Sequence, residues 1–376
     1  MKKISLITIA ICILVLISCG KEKNYTIEVK DGVEIIKNKN IESSPDLQLN
    51  LKIISEISLD KLVLPDSIPT IESFYMTALD FDSNIYISDF RRSVVYKVDK
   101  NGNYVANFNR KGQGPGESLA INDIIIIRDS VYVFGESGKT MIYTRSGDFI
   151  RQFRLFDGKY SNLQIMNSES KIVCNSRNIV PDYKNKKALI KLGVYLLDSN
   201  NLENSSKILE ISTTTDLNNY RYRMSDDQRK FCLYNGQVYV EDLSFSYYAV
   251  DVYDLNGNKI RRIEKQTRRI ACSDELKKKV HEIDLGNTMV KFVADYMKQI
   301  LNMYVDKNGY LWIKPAVEGL EFDHQFFDIF NSDGVFMKRI KLPLSDSFGL
   351  LVFDKNKLIA VDRDNCIVKV FDYEFL

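Results

Sequence analysis

"VVYKVDKNGNYVANF", residues 94–108, reads as a strand, a Gly-containing turn and a second strand, which together make a hairpin. Three segments repeat its pattern: "MIYTRSGDFIRQF" (141–153), "DVYDLNGNKIRRI" (251–263) and "DIFNSDGVFMKRI" (328–340). Two weaker copies, "GVYLLDSNNLENSSKI" (193–208) and "CIVKVFDYEFL" (366–376), extend the series. Upstream of each copy lies a hairpin of a second type: "MTALDFDSNIYISD" (76–89), "NDIIIIRDSVYVFG" (122–135), "NLQIMNSESKIVCN" (162–175), "KFCLYNGQVYVED" (230–242), "LNMYVDKNGYLWIKP" (301–315) and "LLVFDKNKLIAVD" (350–362). Two hairpins per unit and six units predict six four-stranded sheets, and sheets repeated at this spacing predict a radial array around a channel.

The last unit tests that array against a linear one. Its fourth strand is missing, because the sequence stops just after "VKVFDYEFL", while a spare strand, "LKIISEISL" (51–59), precedes the first unit. That strand can complete the sixth sheet and close a ring. An all-β, six-bladed β-propeller over residues 51–376 is therefore expected in preference to a β-sandwich or two separate β domains.

The N-terminus reads as an export and anchoring signal. Met1-Lys2-Lys3 is cationic and Ile4 to Ile17 is almost wholly apolar, too short to span a bilayer comfortably. Leu16-Ile17-Ser18-Cys19-Gly20 resembles a bacterial lipobox, which implies cleavage after residue 18 and lipid on Cys19. Residues 19–50, polar and containing "IKNKNIESSPD", are expected to be a lipidated tether that lifts the domain from the membrane.

The chain has 52 basic and 50 acidic residues, and loss of Lys2 and Lys3 with the signal leaves the mature protein formally neutral, so nucleic acid is not an expected partner. Beyond Cys12 in the signal and Cys19, the cysteines Cys174, Cys232, Cys272 and Cys366 have no CxxC spacing. They are expected as buried thiols, with a Cys232–Cys272 disulfide as the alternative in an oxidising compartment.

The Asp/Gly hairpins, the "VDKNGYLWI" element, the lipobox and the loop Gly112, Gly114, Pro115, Gly116, Glu117 together resemble the six-bladed β-propeller lipoproteins of Bacteroidetes, relatives of NHL-repeat proteins. That resemblance implies a monomer in the cell envelope, anchored to the outer membrane through Cys19. It implies little about activity, because most of that family has none assigned.

In a propeller the turns between strands one and two and between three and four leave on one face. The remaining connections leave on the other. The first set is short here, and the long excursions 177–190, 209–228, 264–299 and 315–325 all fall in the second, which is therefore the expected working face. "RKGQGPGES" (110–118) joins blades one and two on that face, and its glycines permit an anion-accepting nest of backbone N–H groups, unless the loop is a tight crossover whose Glu117 caps neighbouring backbone. Arg91, Arg92, Arg110, Lys111, Arg177 and Arg363, with Arg221, Arg223, Arg268 and Arg269, lie in the same loops and suit an anionic ligand. Within "SDELKKKVHEIDLGNTMVKFVADYMKQI" (273–300) the apolar spacing predicts a helical insertion between blades four and five.

Chemistry has few candidates. His281 and His324 are the only histidines, which excludes a three-histidine zinc site. His324 beside Asp323 in "EFDHQFFD" is the one candidate acid or base. "DFDSN" (80–84) starts like a calcium loop but has Ile85 where glycine belongs and Arg91 where the bidentate Glu belongs. No cofactor is expected, and calcium enters only with the alternative below. The expected function is a lipid-anchored binding or scaffold module for a glycan, peptide or partner protein. The alternative is a hydrolase or lyase like other NHL-type propellers, with a calcium ion in the channel.

Overall fold

A computed structural model describes residues 23–376 except 67, 69, 72–73, 81, 83, 155–159, 166–170, 183, 186, 199–204, 217–229, 243–246, 274–282, 285–288, 291–295, 321–323, 355–356 and 363. The protein is an all-β six-bladed propeller whose described helical content is two short 3-10 turns, Leu59–Lys61 and Glu136–Gly138.

Three strands precede the first blade: β1 (Tyr25–Lys30), β2 (Val33–Asn38) and β3 (Leu49–Ser58). Blade one is β4 (Phe74–Leu79), β5 (Ile85–Asp89), β6 (Val94–Val98) and β7 (Tyr104–Phe108). Blade two is β8 (Ile121–Ile127), β9 (Ser130–Gly135), β10 (Lys139–Thr144) and β11 (Phe149–Arg154). Blade three is β12 (Tyr160–Ile165), β13 (Lys171–Asp182), β14 (Lys187–Asp198) and β15 (Ser205–Asp216). Blade four is β16 (Phe231–Tyr234), β17 (Gln237–Glu241), β18 (Tyr248–Tyr253) and β19 (Lys259–Lys265). A small ladder, β20 (Ile283–Asp284) and β21 (Met289–Val290), lies between blades four and five. Blade five is β22 (Ile300–Val305), β23 (Leu311–Pro315), β24 (Phe326–Phe330) and β25 (Phe336–Lys341). In blade six, β26 (Phe348–Asp354), β27 (Lys357–Asp362) and β28 (Ile367–Phe375) form a sheet with β3, which runs antiparallel to β28 from Ile367↔Ser58 to Phe375↔Leu49.

The turns show why the repeat was readable. Asp99 Oδ1 accepts the backbone N–H groups of Asn101 and Asn103 at 2.8 Å, and Asp254 Oδ1 does the same for Asn256 and Asn258 at 2.9 and 2.8 Å. Asp306 Oδ1 accepts Asn308 and Tyr310, and Asn331 Oδ1 accepts Asp333 and Val335. In each case a side-chain oxygen stands in for a backbone acceptor, and the glycine that follows takes a left-handed conformation, as Gly257 does at φ +84°. The motif needs only local chemistry, so it repeats in sequence as it does in space.

Six apolar clusters fill the joints between neighbouring sheets. Tyr86, Val95 and Phe108 of blade one meet Ile121, Val133 and Met141 of blade two, and Ile85, Ile87 and Val98 meet Ile359, Val361 and Val368 of blade six. A central strand such as β5 or β6 is therefore buried at every residue, whereas the outermost strand β11 is almost wholly exposed. Trp312, the single tryptophan, is 0% exposed and packs on Phe353 and Phe375 with centroid distances of 4.9 and 5.3 Å.

Three expectations need correction. The tether expected over residues 19–50 is structured from Asn24 onward. β1 and β2 form a hairpin around Asp31-Gly32, both left-handed, and β2 runs parallel to β19, so the sheet of blade four has the order β1-β2-β19-β18-β17-β16. "DG" between alternating residues is a strong hairpin signal. Its polar surroundings masked it.

The excursion expected at 177–190 is instead the far end of β13 and β14, which pair through Asp182↔Lys187, while β15 follows β14 to Asp216. The described pairing of β12 reaches Tyr160 opposite Ser176, and β13 and β14 run on together for about 20 Å past that pair at 3.3 Å per residue. Ile179, Val180, Leu189, Ile190 and Leu192 supply the β-propensity that continues these strands.

The helical insertion expected at 273–300 is not seen. Ile283–Asp284 pairs antiparallel with Met289–Val290, and the intervening sequence holds Gly286 and Asn287, which disfavour a helix. Residues 274–282, 285–288 and 291–295 of that segment lie outside the described residues.

Candidate functional site

The crossover from β7 to β8 begins with Asn109, which takes φ +60° and turns the chain inward. Its amide donates to Ser93 O at 2.6 Å and to Ser118 Oγ at 2.7 Å, fastening the two ends of the loop to the turn between β5 and β6. Tyr143, 3% exposed, donates to Asn109 Oδ1 at 3.2 Å or to Gly116 O at 2.9 Å. Lys139 Nζ donates to Gly114 O at 3.0 Å, and Gly116 N–H donates to Gln152 Oε1 at 3.2 Å.

Glu117 occupies the inside of the loop. Its Oε2 accepts the Gly114 N–H at 2.9 Å, and its Oε1 accepts Arg110 Nε at 2.6 Å. The Gly114 hydrogen bond, aided by Arg110, holds its carboxyl below the usual carboxylate range. A Cβ on Gly112 would stand 2.1 Å from Glu117 Oε2, and one on Gly116 would stand 3.0 Å from the Phe149 ring at a left-handed φ of +69°. Gly116 therefore calls for glycine, whereas a side chain at Gly112 is admitted only if the Glu117 carboxylate leaves its place. The N–H groups of Gly112 and Gly116 donate to Ser118 O and Gln152 Oε1, so within the loop Glu117 works as an internal cap on the Gly114 N–H.

The cations stay outside. Arg91 and Lys111 are exposed and adjacent, with Lys111 Nζ 3.4 Å from Arg91 O, and the Arg110 side chain is 78% exposed despite its contact with Glu117. Arg92 is half-buried, its backbone N–H held by Asp89 Oδ1 at 3.0 Å. Arg177 lies on β13, in the projecting part of blade three, on the same face. Arg363, Arg221, Arg223, Asp323, His281 and Cys19 lie outside the described residues. Arg268 is exposed, and the guanidinium of Arg269 sits 3.8 Å from the centroid of Tyr296.

Sequence reading missed several supports of this loop. Glu136 Oε2 accepts the N–H groups of Leu119 and Ala120 at 3.0 and 3.2 Å, closing the crossover from the side of blade two. Asn109, the residue before the basic pair, was the available signal, because asparagine tolerates the left-handed region that turns the chain.

His324 is not placed for acid or base work. It is 2% exposed, and its Nδ1 accepts the Phe326 N–H at 3.2 Å. Burial, reinforced by the Lys314 charge, lowers its pKa, so it is neutral near pH 7. Gln325 beside it donates to Phe348 O at 2.8 Å, making this pair a latch between blades five and six.

Asp80, which opens the calcium-like "DFDSN", is committed to its own turn. Its Oδ1 accepts the N–H groups of Asp82 and Asn84, its Oδ2 accepts Asn84 Nδ2 and Tyr86 OH, and Lys97 Nζ lies 3.6 Å away. Among the described residues no three His, Cys, Asp or Glu side chains converge on a point that could hold a metal. Cys174 and Cys232 are buried, Cys272 and Cys366 are half-buried, and none of the four is in a disulfide.

The strongest buried charges are structural. Asp328, 0% exposed, accepts Lys265 Nζ at 2.8 Å, Tyr248 OH at 2.8 Å, and Arg339 Nε and Nη2 at 2.6 and 3.0 Å. Burial alone would raise its pKa, but the Arg339 hydrogen bond and the Lys265 charge hold it below the usual range. An open groove of about 350 Å³ lies on the opposite, turn-bearing face, lined by Asn308, Tyr310, Asn331, Ser332, Glu374 and Phe375.

Comparison with known proteins agrees on the fold. The model of the DUF5128 family, described as a 6-bladed beta-propeller, matches residues 33–190, less than half of the chain. A solved structure of a protein described as exported, from Bacteroides fragilis, is similar with a TM-score of 0.50 at 12% identity, covering 91% of this chain and 99% of that one. Virginiamycin B lyase from Staphylococcus aureus aligns with a TM-score of 0.44 at 10% identity, covering 86% and 99% of the two chains. BamB from Moraxella catarrhalis aligns with a TM-score of 0.39 at 15% identity, covering 86% and 100%. No curated protein matches.

Proposed function

We propose that this protein is a non-catalytic, lipid-anchored binding module of the bacterial cell envelope, whose connection-bearing face engages an acidic glycan or an acidic segment of a peptide or partner protein. The observation that carries this reading is the Gly112–Glu117 crossover. Its internal carboxylate and the donors around it hold it rigid, while Arg91, Arg110 and Lys111 remain at the surface. A rigid scaffold that presents cations without further ordering loses little entropy on binding. On a formally neutral mature chain such a patch gives a directional attraction to anions and little attraction elsewhere. The far ends of β13 and β14 lie on the same face.

In this reading β3 closes the ring of six four-stranded blades by completing the last sheet, and Cys19 carries the lipid that holds the protein at the outer membrane. The test is calorimetric titration of residues 20–376 with a sulfated oligosaccharide and with an oligoglutamate peptide at low and at physiological salt. Saturable binding that weakens with salt, and that is lost in the Arg91→Glu/Lys111→Glu variant, is the expected result. Binding that ignores both salt and the variant, or turnover of the probe, overturns the reading.

A further inference from the structure

We infer that the propeller is mounted on the membrane by its rim, with the outer edge of blade four facing the lipid surface and the channel axis lying along the membrane plane. This rests on the lipid anchor of the proposed function and adds where and how closely the body is held.

The first observation is how little chain is left over for a leash. A tether running from Cys19 to Leu51 could reach roughly 100 Å when fully extended. The β1–β2 hairpin removes most of it. β2 pairs with β19 from Arg261↔Glu34 to Lys265↔Asn38, Ile36 is 0% exposed in the joint between blades four and five, and Arg261 Nε meets Glu34 Oε2 at 2.7 Å. Asn38 is locked by its amide to Glu264 O and Gly334 O at 3.0 and 2.9 Å, and it accepts Phe336 N–H at 2.8 Å. Even Asn24 is fixed, its carbonyl accepting Lys39 N–H at 2.8 Å. What separates Cys19 from Tyr25 spans at most about 20 Å. A body held that closely has to turn one particular surface to the lipid.

The second observation is the character of that surface. β1 ends the sheet, and among the described residues no strand pairs with its outer edge. Ile27 and Val29, which share a face with Tyr25 by strand alternation, are 52% and 74% exposed. Val29 is thus among the most exposed large apolar residues described, and it lies on the strand that the leash enters at Tyr25. Lys23 lies over the Tyr25 ring at 5.6 Å, and Lys23 and Lys30 are exposed at the two ends of the strand. Apolar side chains with a tyrosine and flanking lysines suit the boundary between headgroups and acyl chains, where anionic lipid attracts the lysines.

A bilayer against the rim leaves both faces of the propeller open to the side. The connection face with Arg91 and Lys111 then points along the membrane, and a ligand reaches it without crossing the lipid surface.

The test uses the full lipidated chain in vesicles of phosphatidylethanolamine and phosphatidylglycerol, with brominated acyl chains as quencher. Val29→Trp places a reporter on β1. Val105→Trp places one on β7, at the rim of blade one on the far side of the ring, where Val105 is 48% exposed. Buried Trp312 gives the same background in both. We expect the added emission of Val29→Trp to fall by roughly half or more, as for a group at the interface, and that of Val105→Trp to stay unchanged. Equal quenching at both positions, or none at Val29→Trp in vesicle-bound protein, overturns the rim mounting while leaving the anchor intact. Vesicle association that survives Cys19→Ala overturns the anchor, and with it this inference.

Discussion

Asn38→Ala measures whether the N-terminal hairpin is part of the fold. The side chain is 2% exposed and makes three hydrogen bonds to buried backbone, at Glu264 O, Gly334 O and Phe336 N. At about 1 kcal/mol net for each, the loss is about 3 kcal/mol, and it approaches 5 kcal/mol if Phe336 N–H and Gly334 C=O stay buried without partners. Urea unfolding of residues 20–376, followed by the fluorescence of Trp312, reads this as a lower midpoint. Limited trypsin digestion reads it as faster cleavage at Lys30, Lys37 and Lys39. Thr26→Ala, on the exposed strand β1, is the control and should change stability by less than about 0.5 kcal/mol. If Asn38→Ala behaves like Thr26→Ala and the hairpin is cut equally fast in both, residues 24–38 are a tether after all and the hydrogen bonds argued from here carry no weight.

Three further predictions follow from the same contacts. Asp328→Asn leaves Lys265 buried, and Arg339 half-buried, without their counter-ion, so it should cost about 3 kcal/mol in denaturant unfolding; in the native protein the depressed pKa of Asp328 gives stability present above the ordinary carboxylate range and lost as pH falls below it, and a flat profile in acid would contradict the assignment. Gly112→Ala pushes the Glu117 carboxylate out of its loop, and carbon-detected NMR titration should find the Glu117 pKa moved up toward that of a free glutamate, whereas an unchanged value would show that the contact with Gly114 N–H is not what lowers it. His324, neutral and buried, should resist protonation as pH falls through the ordinary imidazole range while the unfolded chain does not, so this residue removes stability in mild acid; an imidazole shift titrating within or above that range would place it in water instead.

The propeller was legible because its information is local. Asp254-Leu255-Asn256-Gly257 and its relatives encode their turn through one side-chain oxygen and one glycine, and the strands around them alternate accordingly. Polar composition misled where pairing is long-range. Asp31-Gly32 announces a hairpin, but nothing near it in sequence says that β2 will pair with β19, more than two hundred residues on. The projecting strands of blade three were hidden for a related reason, since Pro181 and the surrounding lysines look like a loop while the chain continues in register through Pro181↔Ala188. Within the candidate site, the glycines and Glu117 could be picked from the motif, and the choice between an open nest and a capped crossover could not. That choice depends on where the carboxylate points, which a residue string does not carry. His324 stands out in the sequence as one of two histidines and for its neighbour Asp323, and neither feature says anything about burial.

Hydrogen exchange of residues 20–376, followed by mass spectrometry with and without a sulfated oligosaccharide, tests most directly whether the connection-bearing face is where this protein works. Slower exchange at 90–93 and 109–120, with no change in the turns at 306–310 and 331–334, is the predicted result. Protection confined to those turns, which border the groove on the opposite face, would contradict it.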